Sequence, residues 1–389
     1  MKTAKAGPAA RSRLGVRAVL LAGALLPAMA GCTGSPSSPG TAATPGGTPQ
    51  QSSTAVPGAS VAPSPLASPA RPELKEKLDV GLQLPWSAVF LPDGAAVVSE
   101  RDSALLKEIR DGRATSIGEV PGVAPGGEGG LLGVALSPGF ATDHWLYAYF
   151  TSGTDNRIAR MKLTRDSAGR LSLGEPNVVF SGISKASTHN GGRIRFGPDG
   201  FLYVGTGDSQ RREQPQDIKA LGGKILRLTQ DGKPAPGNPF GDNPVYSYGH
   251  RNVQGLAWDA DGRLWASEFG PDVDDELNLI TPGGNYGWPT VTGAPGRNGF
   301  LDAKVVWPST ADASPSGLEI LDGVAYTGAL RGQRLWAVPL AGETAGTPVA
   351  FFTGEYGRLR DVVKAPDGSL WVLSNNRNPD FVLVLRPSQ

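Results

Sequence analysis

The chain holds three histidines, and one of them stands where chemistry is possible. His189 lies between Thr188 and Asn190-Gly191-Gly192, small or polar neighbours that leave its ring able to face a ligand. An imidazole titrates near neutrality and therefore suits a general base. Asp208, closing the Gly-Thr-Gly-Asp phrase one strand later, could orient that ring through its other nitrogen. A lone loop histidine is also a common structural hydrogen-bonder, so spacing alone leaves both readings open. His250, inside Gly249-His250-Arg251-Asn252, reads as structural, and His144 as a solvated turn residue.

Arg251, Arg331 and the pair Arg358 and Arg360 fall on three separate blades of the repeat described below and can meet only near a common axis. Convergent guanidinium groups match carboxylates or phosphates; taken singly, each reads as a solvated arginine. The acidic phrase Asp272 to Glu276 follows Gly270-Pro271. Carboxylates and backbone carbonyls are the hard oxygen ligands calcium takes, although the spacing is not that of an EF-hand. An acidic surface turn is the competing reading.

The elements that must position these groups are β-strands. The 389 residues include 54 Gly and 34 Pro, about 23% together, against roughly 12% in average usage. Both residues penalise helix interiors, which disfavours a helical bundle. With 37 basic and 36 acidic residues there is no cationic excess for nucleic acid. A single Cys excludes an intrachain disulfide and a Cys-based zinc cluster. One phrase recurs, an Asp-Gly turn and then an apolar strand: Pro92-Asp93-Gly94, Pro198-Asp199-Gly200, Asp261-Gly262 and Pro366-Asp367-Gly368. Degraded copies stand at Asp143-His144 and Gly332-Gln333, and the spacing averages about 55 residues. Asp-Gly supplies the positive φ of a hairpin turn, and the β-branched and aromatic residues after it suit strands. A repeat of this size predicts an all-β, six-bladed β-propeller over residues 73–389, with seven blades as the alternative count.

Before the repeat, basic residues Lys2 to Arg17 precede an apolar run, Ala18 to Ala30. That order predicts an export signal over residues 1–32, too short for a comfortable membrane span. The run ends at Met29-Ala30-Gly31-Cys32, which resembles a lipobox and predicts a lipid anchor on Cys32, with an ordinary cleavable signal as the alternative. Residues 33–72 are rich in Ser, Pro, Gly and Thr, with no charge from Thr33 to Ala70, and predict a disordered tether. The expected location is extracytoplasmic, with membrane contact only through the anchor.

Five collinear phrases carry a resemblance: GEGGLLGVAL, HNGGRIRFGPDGFLYVGTGD, YGHRNVQGLAW, SEFGPDVDDELNLI followed by GGNYGWP, and RLRDVV followed by PDG. From about Leu82 to Pro387 the chain resembles the glucose/sorbosone dehydrogenase family, in particular the soluble pyrroloquinoline quinone (PQQ)-dependent aldose sugar dehydrogenases. The resemblance implies a six-bladed quinoprotein propeller with PQQ and calcium. It implies oxidation of the C1 hydroxyl of aldoses to lactones, with electrons passing to an external acceptor. His189 is then the base, Asp208 its orienting carboxylate, and Arg251 and Asn252 neighbours of the quinone carbonyls. Gly270 and Pro271 are implied as carbonyl ligands of a catalytic calcium, and Glu276 and Tyr286 as ligands of a second, structural one. Arg358 and Arg360 match residues that bind the PQQ carboxylates, and Trp307 an aromatic residue near the cofactor. Two positions depart from the glucose enzymes: Glu128 replaces Gln and Arg331 replaces Lys, both within the implied cofactor site. A carboxylate at 128 beside a trianionic cofactor is repulsive unless protonated or calcium-bound. Thr292 to Arg297 lacks the acidic ligands of a dimer-linked calcium loop. Two other readings remain on this scaffold, since fold does not fix function: a non-catalytic surface propeller binding a sugar or protein partner, and a metal-dependent lactonase.

Overall fold

A computed structural model describes residues 66–377 and 379–387. The export signal, Cys32 and the tether up to residue 65 lie outside the described residues. The structure is almost entirely strand, with one helical turn, Phe140–Asp143. Six antiparallel sheets follow one another along the chain, so six rather than seven is the blade number. The innermost strands are Pro85–Phe90, Leu131–Leu136, Ile194–Phe196, Val253–Trp258, Pro315–Leu321 and Leu359–Lys364. The sixth blade is closed by both ends of the chain: Glu73–Leu82 pairs with Asp380–Arg386, with Glu73 opposite Arg386. Such closure leaves no open edge between the first and last blades.

The Asp-Gly phrases form one repeated turn at the far end of the innermost strands. In the first blade Leu91 N donates to Ala95 O and Gly94 N donates back to Leu91 O. The same pair of bonds recurs at Gly197/Gly200, Asp259/Gly262 and Ala365/Gly368. The glycine has φ near +80° in each case (+86°, +78°, +79°, +82°), a conformation in which a side chain is strained. The irregular repeat spacing has a local cause. The long step from 261 to 333 accommodates the loop between Asp275–Leu279 and Val305–Trp307.

Apolar residues fill the gaps between blades, as where Trp86, Tyr147 and Tyr149 join Ile194 and Val204. The expected tether is shorter than residues 33–72 at its C-terminal end: Pro72 is buried, and Arg71 pairs with Glu355 at 2.9 Å and lies over the Phe352 ring. Among the described residues no helix is long and apolar enough to cross a membrane.

Candidate active site

A cavity of about 550 Å³ opens where the innermost strands begin and the second strands of the blades end. Its size is that of a small-molecule or cofactor site. His189, Arg251, Arg331, Arg358, Arg360, Glu128, Gly270 and Pro271 all line it, so loops from five blades meet as the sequence requires.

His189 adopts φ +57°, followed by Gly191 at +63° and Gly192 at +114°. The backbone of the neighbouring strand end passes directly beneath: a Cβ at Gly207 would lie 1.9 Å from the His189 carbonyl oxygen. Glycine at 207 is therefore a close-approach requirement. His189 Nδ1 and Asp208 Oδ1 are 2.7 Å apart, and Asp208 is 1% exposed. Burial alone would raise the Asp208 pKa. Hydrogen bonds from His189, Trp288 Nε1 and Gln210 N outweigh it and hold the carboxyl below its ordinary value. An ionised Asp208 accepts from Nδ1–H, which leaves Nε2 as the proton acceptor of the ring. The Glu128 carboxylate reaches the same residue from the second blade, Oε2 accepting from His189 N at 2.7 Å.

Six arginines line the cavity (101, 251, 331, 358, 360 and 377) against two carboxylates, Glu128 and Asp275. Burial, with Arg101 and Arg358 close by, depresses the buried Arg360 to about 9. Arg358 is lowered for the same reasons, burial first and then Arg377 and Arg101. The Arg251 backbone N–H donates to Glu268 Oε2, and its Nη1 donates to Phe269 O at 3.1 Å. Arg251 Nε and Arg360 Nε are buried with no partner among the described residues. Crowded, underpaired cations are costly unless an anion completes them.

Gly270 and Pro271 line the cavity, and no described donor reaches either carbonyl oxygen. Asp275 fixes that loop, Oδ1 accepting from Gly270 N at 2.8 Å and Oδ2 from Ser314 N at 2.6 Å. Burial pushes Asp275 up to about 6.

Two residues expected beside the cofactor, Asn252 and Trp307, do not line the cavity, and neither do Glu276 and Tyr286, which are expected at a second, structural calcium. Asn252 is fully buried behind the wall, where its Oδ1 accepts from Gly191 N at 2.9 Å; it braces the His189 loop instead of lining the cavity. Trp307 sits between blades against Trp336, ring centroids 5.8 Å apart, because its strand is the outermost of its blade and packs into the core there. Glu276 is adjacent to Asp275 on a strand and so faces away from it. Its carboxylate accepts from Gly293 N and Asn278 Nδ2, and burial with Glu268 nearby raises its pKa well above the ordinary value. The Tyr286 hydroxyl donates to Leu279 O and accepts from Thr281 N, and its ring stacks on His250. No cluster of three His, Cys, Asp or Glu side chains suited to a metal occurs among the described residues. His250 is a buried link between Ser247 and Glu268.

Arg101, Arg377, Trp86 and Gln254 also line the cavity and were not picked out from the sequence. Arg101 carried a usable signal. It directly follows a blade's second strand, Ala96–Glu100, as Arg331 closely follows Val324–Ala329.

Residues 82–383 match the family model described as Glucose / Sorbosone dehydrogenase. An aldose sugar dehydrogenase of Escherichia coli is 31% identical over 347 residues, covering 80% of this chain and 91% of that one. Quinoprotein glucose dehydrogenase B of Acinetobacter calcoaceticus is 30% identical over 282 residues, 63% of this chain and 59% of that one. Among solved structures, the PQQ-bound form of an aldose sugar dehydrogenase from Streptomyces coelicolor superposes with a TM-score of 0.79. It is 51% identical and covers 84% of this chain and all of that one.

Proposed function

The chain belongs to the glucose/sorbosone dehydrogenase family, and from that premise we propose that it is a PQQ-dependent aldose sugar dehydrogenase that oxidises the C1 hydroxyl to a lactone. The observation that carries this reading is the joint placement, in one cavity, of a carboxylate-held imidazole and an underpaired arginine cluster. The residues fit the cofactor. Six arginines against two carboxylates leave a cationic excess suited to a trianion, and the orphaned Nε atoms of Arg251 and Arg360 are donors awaiting acceptors. The paired free carbonyls of Gly270 and Pro271 are hard ligands of the kind calcium takes.

His189 Nε2 takes the proton of the C1 hydroxyl. Asp208 holds the ring in the required tautomer and stabilises the imidazolium that results. Bound PQQ supplies the hydride acceptor, and calcium beside it supplies Lewis-acid polarisation. Arg251 offers positive charge where negative charge develops on the cofactor side. Arg358, Arg360 and Arg101 bind the cofactor's carboxylates, and Arg331, held by Thr310 Oγ1 at 2.8 Å, adds a further cation at the wall. Loss of the hydroxyl proton to His189 Nε2 and of a hydride from C1 leaves the lactone, and the two electrons of the hydride go on to an external acceptor. We also place the protein outside the cytoplasm, anchored through Cys32, on the strength of the export signal and lipobox.

Reconstitution of apo-protein with PQQ and calcium should give sugar-dependent dye reduction across an aldose panel. Absence of both dye reduction and PQQ binding would reject the enzyme reading and leave the non-catalytic propeller.

A further inference from the structure

We propose that Trp288 is a positioning residue of the proton-transfer pair, its indole N–H fixing Asp208 and, through it, the imidazole of His189. The inference rests on the reading of His189 as the base. Trp288 lies in the loop that follows the third strand of the fourth blade, 80 residues from Asp208 in the chain. It is 7% exposed, and Nε1 donates to Asp208 Oδ2 at 2.8 Å. Its backbone is held at both ends: Trp288 N donates to Gly249 O at 2.9 Å, and Gln216 Nε2 donates to Trp288 O at 2.8 Å. Two cations lie over the ring, with the guanidinium carbon of Arg212 4.6 Å and that of Arg251 5.5 Å from its centroid.

The division of labour on the Asp208 carboxylate makes this contact decisive. Oδ1 takes His189 Nδ1 and Gln210 N, both from nearby in the fold. Oδ2 has Trp288 as its partner among the described residues. Indole N–H is a donor only, so it holds Oδ2 without competing for the proton shared with His189. Charged groups facing the pair are Arg251, which interacts with both Asp208 and Glu128, and Glu128, whose carboxylate caps His189 N. Arg212 lies over the indole. None of these replaces a hydrogen bond to Oδ2.

Trp288→Phe keeps an aromatic ring beside the two guanidinium groups and removes the donor. Oδ2 then has no partner, and the carboxylate's charge bears more strongly on the imidazole and stabilises its protonated form. More of the base is already protonated at neutral pH, and turnover falls.

With three histidines in the chain, ¹⁵N NMR of the imidazoles resolves the effect in apo-protein, independently of any cofactor. The His189 titration midpoint should move upward in Trp288→Phe relative to the wild-type protein. Trp288→Gln restores an N–H three bonds from Cβ, as in the indole, and should return the midpoint toward the wild-type value; it also serves if the Phe variant does not fold. In reconstituted enzyme, kcat of Trp288→Phe at neutral pH should fall about tenfold, less than the roughly hundredfold or more that general acid–base catalysis supplies in full, because the base is weakened and not removed. Its acid limb should move to higher pH with PQQ affinity unchanged. A His189 midpoint that stays in place or falls overturns the proposal, as does a loss of kcat uniform across pH. If wild-type protein binds no PQQ, the functional reading falls, yet the NMR titration still decides the role of Trp288.

Discussion

The two ends of the innermost strands are built on opposite principles. At the base, each Asp-Gly turn satisfies its own backbone groups, and side chains such as Asp93, Asp199 and Asp367 accept from the N–H two residues on. At the cavity end, buried guanidinium groups crowd together and two Nε atoms have no partner among the described residues. The base closes its hydrogen bonds locally and the cavity leaves its bonds for a ligand. Local consistency of the first kind supports folding, and violations of it concentrate where function lies. The comparison predicts that substitutions at the cavity change chemistry with little effect on apo stability, and that those at the base do the reverse.

The largest effect is expected at the base catalyst. His189→Ala should lower kcat by about a thousandfold, within the span attributed to general acid–base catalysis, while PQQ affinity is kept because no anion contact is lost. Stopped-flow reduction of the bound quinone by sugar reports the loss directly. Turnover near that of the wild type would remove His189 from the mechanism.

Arg358→Ala tests the cation cluster. A hydrogen bond to a charged group contributes about 1.5–3 kcal/mol, so PQQ should bind about 10–100-fold more weakly. Burial and the neighbouring Arg377 and Arg101 already depress its pKa. Removing that charge should therefore leave the apo-protein's unfolding midpoint unchanged or slightly higher. A large loss of apo stability would contradict the idea that these cations await a ligand.

The contrast also explains what could be read from sequence. The turns were legible because Asp-Gly chemistry is local: the same Asp-Gly pair goes with the same two hydrogen bonds at Leu91, Gly197, Asp259 and Ala365. The convergence of His189, Arg251 and Arg358 was legible through the collinear phrases, and a closed ring of blades brings those phrases to one axis. Trp307 and Asn252 were misplaced because a family phrase does not reveal which way a side chain turns. Trp307 stands on the outermost strand of its blade and packs into the core there, and Asn252 is taken by Gly191. Trp86 stands on a strand without a distinctive phrase, and only the closure of the ring reveals that it faces the cavity.

Lys224 is a buried cation of a different kind, lying near the cavity end but fully committed. Its Nζ donates to the carbonyls of Gln214 at 2.7 Å, Pro215 at 3.1 Å and Gly222 at 2.7 Å. Lys224→Met should cost about 2 kcal/mol at pH 6, since buried acceptors lose their donor. Burial pulls Lys224 down to about 7, with Asp217 opposing. Below that pH both states hold the proton. Between pH 7 and about 10 the unfolded chain still holds a proton that the folded one has shed, so wild-type stability rises across the window. The gap to the variant should widen from pH 6 to pH 9 in urea unfolding. A gap that narrows would show that the three carbonyls keep the ammonium charged.

The smallest effect separates the two ends through one residue type. Gly200 sits in a base turn at φ +78°, and a Cβ there would meet nothing within 4 Å. Gly200→Ala should therefore cost only the strain of a left-handed residue, about 1–2 kcal/mol, with kcat untouched. Gly207 has no positive φ, but a Cβ there would lie 1.9 Å from the His189 carbonyl oxygen and 2.9 Å from Asn252 Oδ1. Gly207→Ala must displace the loop that carries the base, so its loss of kcat should exceed any loss of stability. If the two alanine variants behave alike in both measurements, the distinction between a self-satisfied base and a ligand-completed cavity fails at its simplest point.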